Sequence, residues 1–287
     1  MDVSRYRIKE NRSVDLKEFS TKCDAELNRK EVEKEWMPAN IRKMAELQEK
    51  LYAENTTSIL LVFQAMDAAG KDGTIKHVMT GFNPQGVSVA SFKVPSSEEN
   101  DHDYLWRIHK QCPRRGEIGI FNRSHYEDVI VARVHDLVET SQLPEENKTK
   151  DIWDRRYRQI RDFEKYLTEN GTVILKFFLH VSKKEQTKRL LKRIENSDKH
   201  WKFSPGDTYE RKFWDSYMRA YEAMLEKTST EDAPWYVLPA DNKWYTRFLV
   251  SEIVLQKMKE LDPKFPELPE DAKSRMEECR ALLLKDV

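Results

Sequence analysis

The stretch "LLVFQAMDAAGKDGT", residues 60–74, sets a lysine, two carboxylates and two glycines directly after an apolar run. That combination suits the holding of a phosphate chain. Backbone N–H groups at a helix start surround the anion, glycine allows the tight turn, and lysine adds a point charge. The usual spacing is G-x-x-x-x-G-K-[ST]; here Ala65 stands at the first glycine and Asp72 at the magnesium-binding hydroxyl. The phosphate-binding positions Ala68, Ala69, Gly70, Lys71, Asp72, Gly73 and Thr74 keep their backbone donors, and Lys76 follows within the helix. A carboxylate is a better ligand for a hard cation than a hydroxyl, which makes Asp67 the expected metal ligand. Alone, "DAAGKDG" also reads as a polar strand-to-helix turn. The buried strand before it and the helix after it favour the phosphate site.

A second constellation is "GEIGIFNRSHYEDV", an apolar strand ending in Asn122 and Arg123. A strand-end acid commonly holds magnesium in such sites. Asn122 offers only its carbonyl, and acids return at Glu127 and Asp128, so all three are candidate metal ligands. Arg123 is placed to reach a transferring phosphoryl group, although strand-end arginines also form plain surface ion pairs. His125 reads as structural. A third constellation spans residues 183–202, where eight Lys/Arg and three acids give a local charge of +5. Lys188, Arg189, Lys192 and Arg193 share one broad helix face, opposite Leu190, Leu191 and Ile194, with Lys199 and Lys202 beyond. A solvated charged face is the ordinary reading of such a run. In a chain of zero net charge, with 50 basic and 50 acidic residues, the local excess favours a polyanion site.

These residues need a scaffold, and the hydrophobic pattern supplies one. "SILLVFQ", "GVSVASF", "GEIGIF", "TVILKFFLHV" and "PWYVLPA" read as strands, alternating with helical patterns near 71–81, 98–112, 125–137, 150–169, 183–195 and 243–260. The alternation predicts an α/β fold, a parallel sheet of about five strands covered by helices, with ligands at the strands' carboxyl ends. Residues 13–55 read as a helical extension, and "DPKFPELPED" as a linker to a docking helix at the tail. The expected division is an extension over 1–57, a core over 58–261 with a lid at about 182–208, and a tail over 262–287. The 287 residues, 39% hydrophobic, suffice for one substantial core. Cys23, Cys112 and Cys279 are widely spaced, which suits a reducing compartment without structural zinc. No apolar run approaches the ~20 residues of a membrane helix, so a cytoplasmic protein without membrane partners is expected.

In order along the chain, "AMDAAGKDGTIKHV", "FNRSHYEDV", "KHWKFSPGD" and "ADNKWYTRF" resemble the Walker A loop, Walker B segment, lid and last strand loop of the polyphosphate kinase 2 family. The resemblance implies a P-loop kinase fold with a helical lid. It also implies Mg2+-dependent transfer between inorganic polyphosphate and AMP, ADP or ATP, with Mn2+ as an alternative metal. Asp67 then holds the metal, while Lys71, Asn122, Arg123 and the lid residues Arg189 and Arg193 act on the transferred group. Lys188, Lys192, Lys199 and Lys202 would track the chain. Asn122 departs from members with an aspartate there and resembles the subgroup called class III, which accepts AMP and ADP. A homo-oligomer is expected, and no nucleic-acid partner, since no reading motif for DNA or RNA is present. Two competing readings are an ATP-dependent nucleotide kinase of the thymidylate kinase type and a non-catalytic polyphosphate- or RNA-binding protein. The broad basic face argues against the first.

Overall fold

The computed structural model describes residues 1–285. Five strands form one parallel sheet: β1 (Ser58–Gln64), β2 (Val87–Ser91), β3 (Ile118–Asn122), β4 (Thr172–His180) and β5 (Trp235–Pro239). Their order is β2-β3-β1-β4-β5. All seven residues of β1 are buried, as a central strand covered on both faces requires. In register, Phe63 of β1 lies between Asn122 of β3 and Phe177 of β4. The loop after β1, the turn after β3 and the start of the lid therefore meet at one edge, beside the point where the strand order reverses.

The longer helices are α1 (Met37–Glu54), α2 (Lys71–Val78), α3 (Ile152–Glu169), α4 (Lys183–Glu195), α5 (Trp214–Thr228), α6 (Lys243–Leu261) and α7 (Glu270–Lys285). α6 is buried along most of its length, packing on α1 and α2. The chain's first residues close the outer edge of β5: Ile8 N donates to Trp235 O at 2.8 Å, and Arg7 bridges Tyr236.

Three expected helices are shorter than the pattern suggests. The extension is irregular up to Asn28, and a π-turn over Val32–Trp36 precedes α1. Pro38 explains that turn, since its missing N–H removes a bond to the residue four earlier. The segment 98–112 yields two single turns, Ser97–Asn100 and Trp106–His109, parted where the Asp103 carboxylate accepts from Leu105 N at 2.9 Å. The segment 125–137 breaks into a 3-10 turn, His125–Asp128, and a short helix, Val131–Val134. The tail helix α7 forms, yet buries no residue and leaves Met276, Leu282, Leu283 and Leu284 exposed.

Candidate active site

The loop between β1 and α2 is built on left-handed backbone. Gly70 caps α2 with φ of +110°, a value that costs glycine little, and Ala68 also takes a positive φ of +61°. Thr74 N donates back to Gly70 O at 2.9 Å, so the first turn of α2 starts at Lys71. Lys71 is buried and curls over its own loop, with Nζ 2.9 Å from Ala65 O. Burial first, and then the Arg123 charge, lower its pKa; Asp67, Glu127 and Asp72 oppose that shift. Thr74 is buried beneath the loop, and Lys76 is exposed on α2.

Arg123 ties the loop to the strand-end turn. Its guanidinium lies 2.8 Å from Asp67 Oδ1 and 3.1 Å from Glu127 Oε2. Its backbone is left-handed, φ +65°, a conformation that costs a non-glycine residue about 1 kcal/mol or more. The two carboxylates and the bond from Arg123 N to Phe63 O, 3.2 Å, hold it there. Asn122 donates from Nδ2 to Asp72 Oδ1 at 2.9 Å, and Lys202 approaches Asp72 Oδ2 at 3.4 Å. Against the opposing effect of burial, those two contacts keep the Asp72 carboxyl below its ordinary range.

Of the candidate metal ligands, Asp67 and Glu127 converge on one guanidinium, with Asn122 on the neighbouring Asp72. Asp128 does not join them. It faces Arg107 at 3.9 Å, one carboxylate oxygen lacks any hydrogen-bond partner, and burial raises its pKa to about 6. Among the described residues no group of three or more His, Cys, Asp or Glu converges. One or two carboxylates beside a phosphate loop fit Mg2+, which takes its remaining ligands from substrate phosphates and water.

The lid contradicts the expected division of its helix faces. Arg189 is buried, and its guanidinium donates to Ala68 O at 3.1 Å, Ala69 O at 2.5 Å and Ala240 O at 2.6 Å. Its Nε pairs with Glu185 at 3.0 Å. Gln186 donates to Asp67 O at 3.0 Å. Leu191 and Ile194, placed on the face opposite the basic residues, are about half exposed (50% and 51%). The reason is position: α4 overhangs a polar loop rather than the core, so its polar side faces inward. Lys188 and Lys192 are exposed, and Arg193 pairs with Asp207 at 2.8 Å.

Several site residues escaped the sequence reading. Arg247 stands over the first turn of α2, so close that a Cβ at Gly73 would lie 3.4 Å from its Nη2. Its Nε is buried without a partner. Burial and the neighbouring Arg189 charge lower the Arg247 pKa, and burial with Arg189, Arg247 and Lys199 lowers that of Lys243. These are the signs of cations crowded together. Lys243 and Arg247 lie in "ADNKWYTRF", and their four-residue spacing at a helix start was the available signal. Asp207 closes the quoted stretch "KHWKFSPGD", and Gln186 carried no signal.

The family model described as Polyphosphate kinase 2 matches residues 26–266. The chain belongs to the polyphosphate kinase 2 family. It is 47% identical over 285 residues to the ADP-polyphosphate phosphotransferase of Rhodopseudomonas palustris, covering 99% of each chain. It is 48% identical over 275 residues to the AMP/ADP-polyphosphate phosphotransferase of Meiothermus ruber, covering 96% of this chain and 99% of that one. The crystal structure of polyphosphate kinase 2 from Arthrobacter aurescens superposes with a TM-score of 0.88 at 40% identity, covering 98% of this chain and 95% of the other. The five-stranded parallel sheet with flanking helices is thus the P-loop kinase-like α/β fold of that family. No described helix is long and apolar enough to cross a membrane.

Proposed function

We propose that this polyphosphate kinase 2 moves a phosphoryl group between inorganic polyphosphate and a nucleotide, AMP or ADP, giving ADP or ATP. The observation that carries this reading is the Arg247 guanidinium over the first turn of α2, 3.4 Å from where a Cβ at Gly73 would stand and with its buried Nε unpartnered. A cation held there favours a bound anion. Together with Lys71 and the basic residues of α4 it suits a donor chain that continues past the reacting phosphate, more than ATP would require.

The acceptor's terminal phosphate is largely ionised at neutral pH, its second pKa being about 6, so no protein base is needed. The protein's task is to align two repelling anions and offset their charge. Lys71 serves the reacting phosphates from the loop, and Arg123 the transferred group. Asp67 and Glu127 would hold Mg2+, or Mn2+ in its place. Bound there, the cation would offset charge on the phosphates. Asn122 and Asp72 set the turn beside it. Arg193, Lys188, Lys192, Lys199 and Lys202 flank the donor path. We extend the reading to a homo-oligomer, since α7 presents apolar residues that this chain leaves uncovered; light scattering after size exclusion tests that.

The deciding experiment incubates purified protein with Mg2+, polyphosphate and either AMP or ADP, and resolves the products chromatographically. ADP from AMP and ATP from ADP, without added ATP, are expected. Product only when ATP is the donor would overturn the reading in favour of a nucleotide kinase. Use of ADP alone would remove AMP from the acceptor range.

A further inference from the structure

Beneath the Arg123 turn lies a buried ionic cluster that has no part in the chemistry just described. Lys176 of β4 and Glu164 of α3 are 0% and 2% exposed, and their charged atoms are 2.5 Å apart. Glu164 also accepts from Tyr126 Oη at 2.6 Å, and His125 Nε2 lies 3.4 Å from the same oxygen. Lys176 Nζ donates to Tyr126 Oη at 2.9 Å and to Thr228 O at 2.8 Å, and stands over the rings of Tyr126 and Trp235.

Burying such a pair costs several kcal/mol of desolvation per ion, and apolar residues of similar volume often serve stability as well. Its distinctive effect is directional. Two carboxylate oxygens and three ammonium protons fix where the Tyr126 hydroxyl must lie. Tyr126 belongs to the 3-10 turn His125–Asp128, three residues after Arg123 and directly before Glu127. Ser124 tightens the same turn, its Oγ accepting from Tyr126 N at 3.2 Å and from Gln64 Nε2 at 3.2 Å. A shift of Tyr126 therefore moves both Arg123, which pairs with Asp67 and already holds a left-handed backbone, and Glu127, which pairs with Arg123.

We propose that Glu164 and Lys176 are positioning residues for phosphoryl transfer, acting through Tyr126 to hold the turn in which Arg123 bridges Glu127 and Asp67. The proposal rests on the phosphotransferase reading for its kinetic part only. Two charge-neutral double variants separate the hydrogen bond from the ion pair. Glu164→Gln with Lys176→Met keeps an acceptor for Tyr126; Glu164→Leu with Lys176→Met removes it. Hydrogen exchange over residues 123–128, measured without metal or nucleotide, is expected within ~3-fold of the parent in the first and at least ~10-fold faster in the second. kcat with polyphosphate is expected to fall at least ~10-fold in the second alone, with KM for polyphosphate changed less than ~3-fold.

Matching exchange and kcat in the two folded variants would overturn the proposal. Should the Leu/Met variant fail to fold, Tyr126→Phe, which leaves the ion pair intact, carries the same expectation, and parental exchange and kcat in it would overturn the idea equally. A parent inactive with polyphosphate would sink the phosphotransferase reading, while the exchange comparison would still decide whether the cluster holds the turn.

Discussion

The Arg189 guanidinium lies against the carbonyl oxygens of Ala68 and Ala69, at 3.1 and 2.5 Å, so an arginine of α4 braces the loop between β1 and α2 from behind. Carbonyls turned toward Arg189 leave the loop's N–H groups for the opposite side, where an anion would sit. The planar fork reaches two backbone segments at once, because it also meets Ala240 and Asp241. Lysine has no such fork. Arg189→Lys is therefore expected to lower kcat/KM for polyphosphate at least ~10-fold while leaving the charge unchanged. Steady-state kinetics with exchange over residues 183–210 checks this; parental values for both would show the brace to be dispensable.

Lys71→Ala is expected to fold and to lose at least ~10²-fold in kcat, the scale for removing one preorganised charged donor. Its side chain now meets only the loop's own Ala65 carbonyl, so stability should change little beside activity. Thermal melting beside the kinetic assay separates the two. Turnover near the parent's would mean that the loop does not hold the reacting phosphates.

Asp67→Asn is expected to raise the Mg2+ concentration needed for half-maximal rate and to lower the rate at saturation by at least ~10-fold. It also frees half of the Arg123 grip, since Asp67 supplies one of two carboxylates. A Mg2+ titration with parental midpoint would exclude Asp67 as a ligand. Glu127→Gln is the companion measurement.

The sheet was legible because its central strands are apolar runs bounded by turns, and β1, β3 and β4 fall where the runs do. The loop was legible because Gly70 and Lys71 sit between a buried strand and a helix. Helix faces in the lid were not. Hydrophobic periodicity assumes that apolar residues turn inward, whereas α4 turns Gln186 and Arg189 toward polar backbone and leaves Leu191 and Ile194 outside. The cation pair Lys243 and Arg247 was hidden for another reason. Its partners come from α2 and the lid, far away in sequence, and charge spacing along α6 does not reveal them. Glu164 and Lys176 escaped similarly, Glu164 being one of many charges along α3 and Lys176 a lone lysine within an apolar strand.

His180, at the end of β4, gives a stability prediction with a definite sign. Burial lowers its pKa to about 4, and Nδ1 has no hydrogen-bond partner. The folded chain thus holds the ring neutral where the unfolded chain would protonate it. Stability from this residue is present above pH 6.5, the ordinary histidine value, and is lost as pH falls from there toward 4. The loss is at most about 3 kcal/mol, at ~1.4 kcal/mol per pH unit. Melting temperatures of the parent and His180→Asn between pH 4 and 7 should converge toward the acid end. Parallel curves would show that His180 is not the titrating group.

The last prediction concerns what distinguishes a polymeric donor from ATP. In the proposed reading Lys71 and Arg123 serve the reacting phosphates, while Lys243 lies among the charges of Arg189, Arg247 and Lys199. If the chain continues across those outer cations, Lys199→Glu with Lys243→Glu should weaken polyphosphate and flatten the fall of its affinity with salt. Partly exposed charges are screened over a Debye length of about 8 Å at physiological ionic strength, so the salt slope reports how many of them the polymer meets. Long chains reach more of the row than short oligomers and should lose more affinity, at least ~10-fold against ~3-fold or less, while AMP binding is nearly unchanged. Apparent affinities at several salt concentrations, for both chain lengths and for AMP, give the comparison. Equal losses for long and short chains would confine these cations to the reacting phosphates, and no loss for either would leave the crowding of Lys199, Lys243 and Arg247 without a role in donor binding.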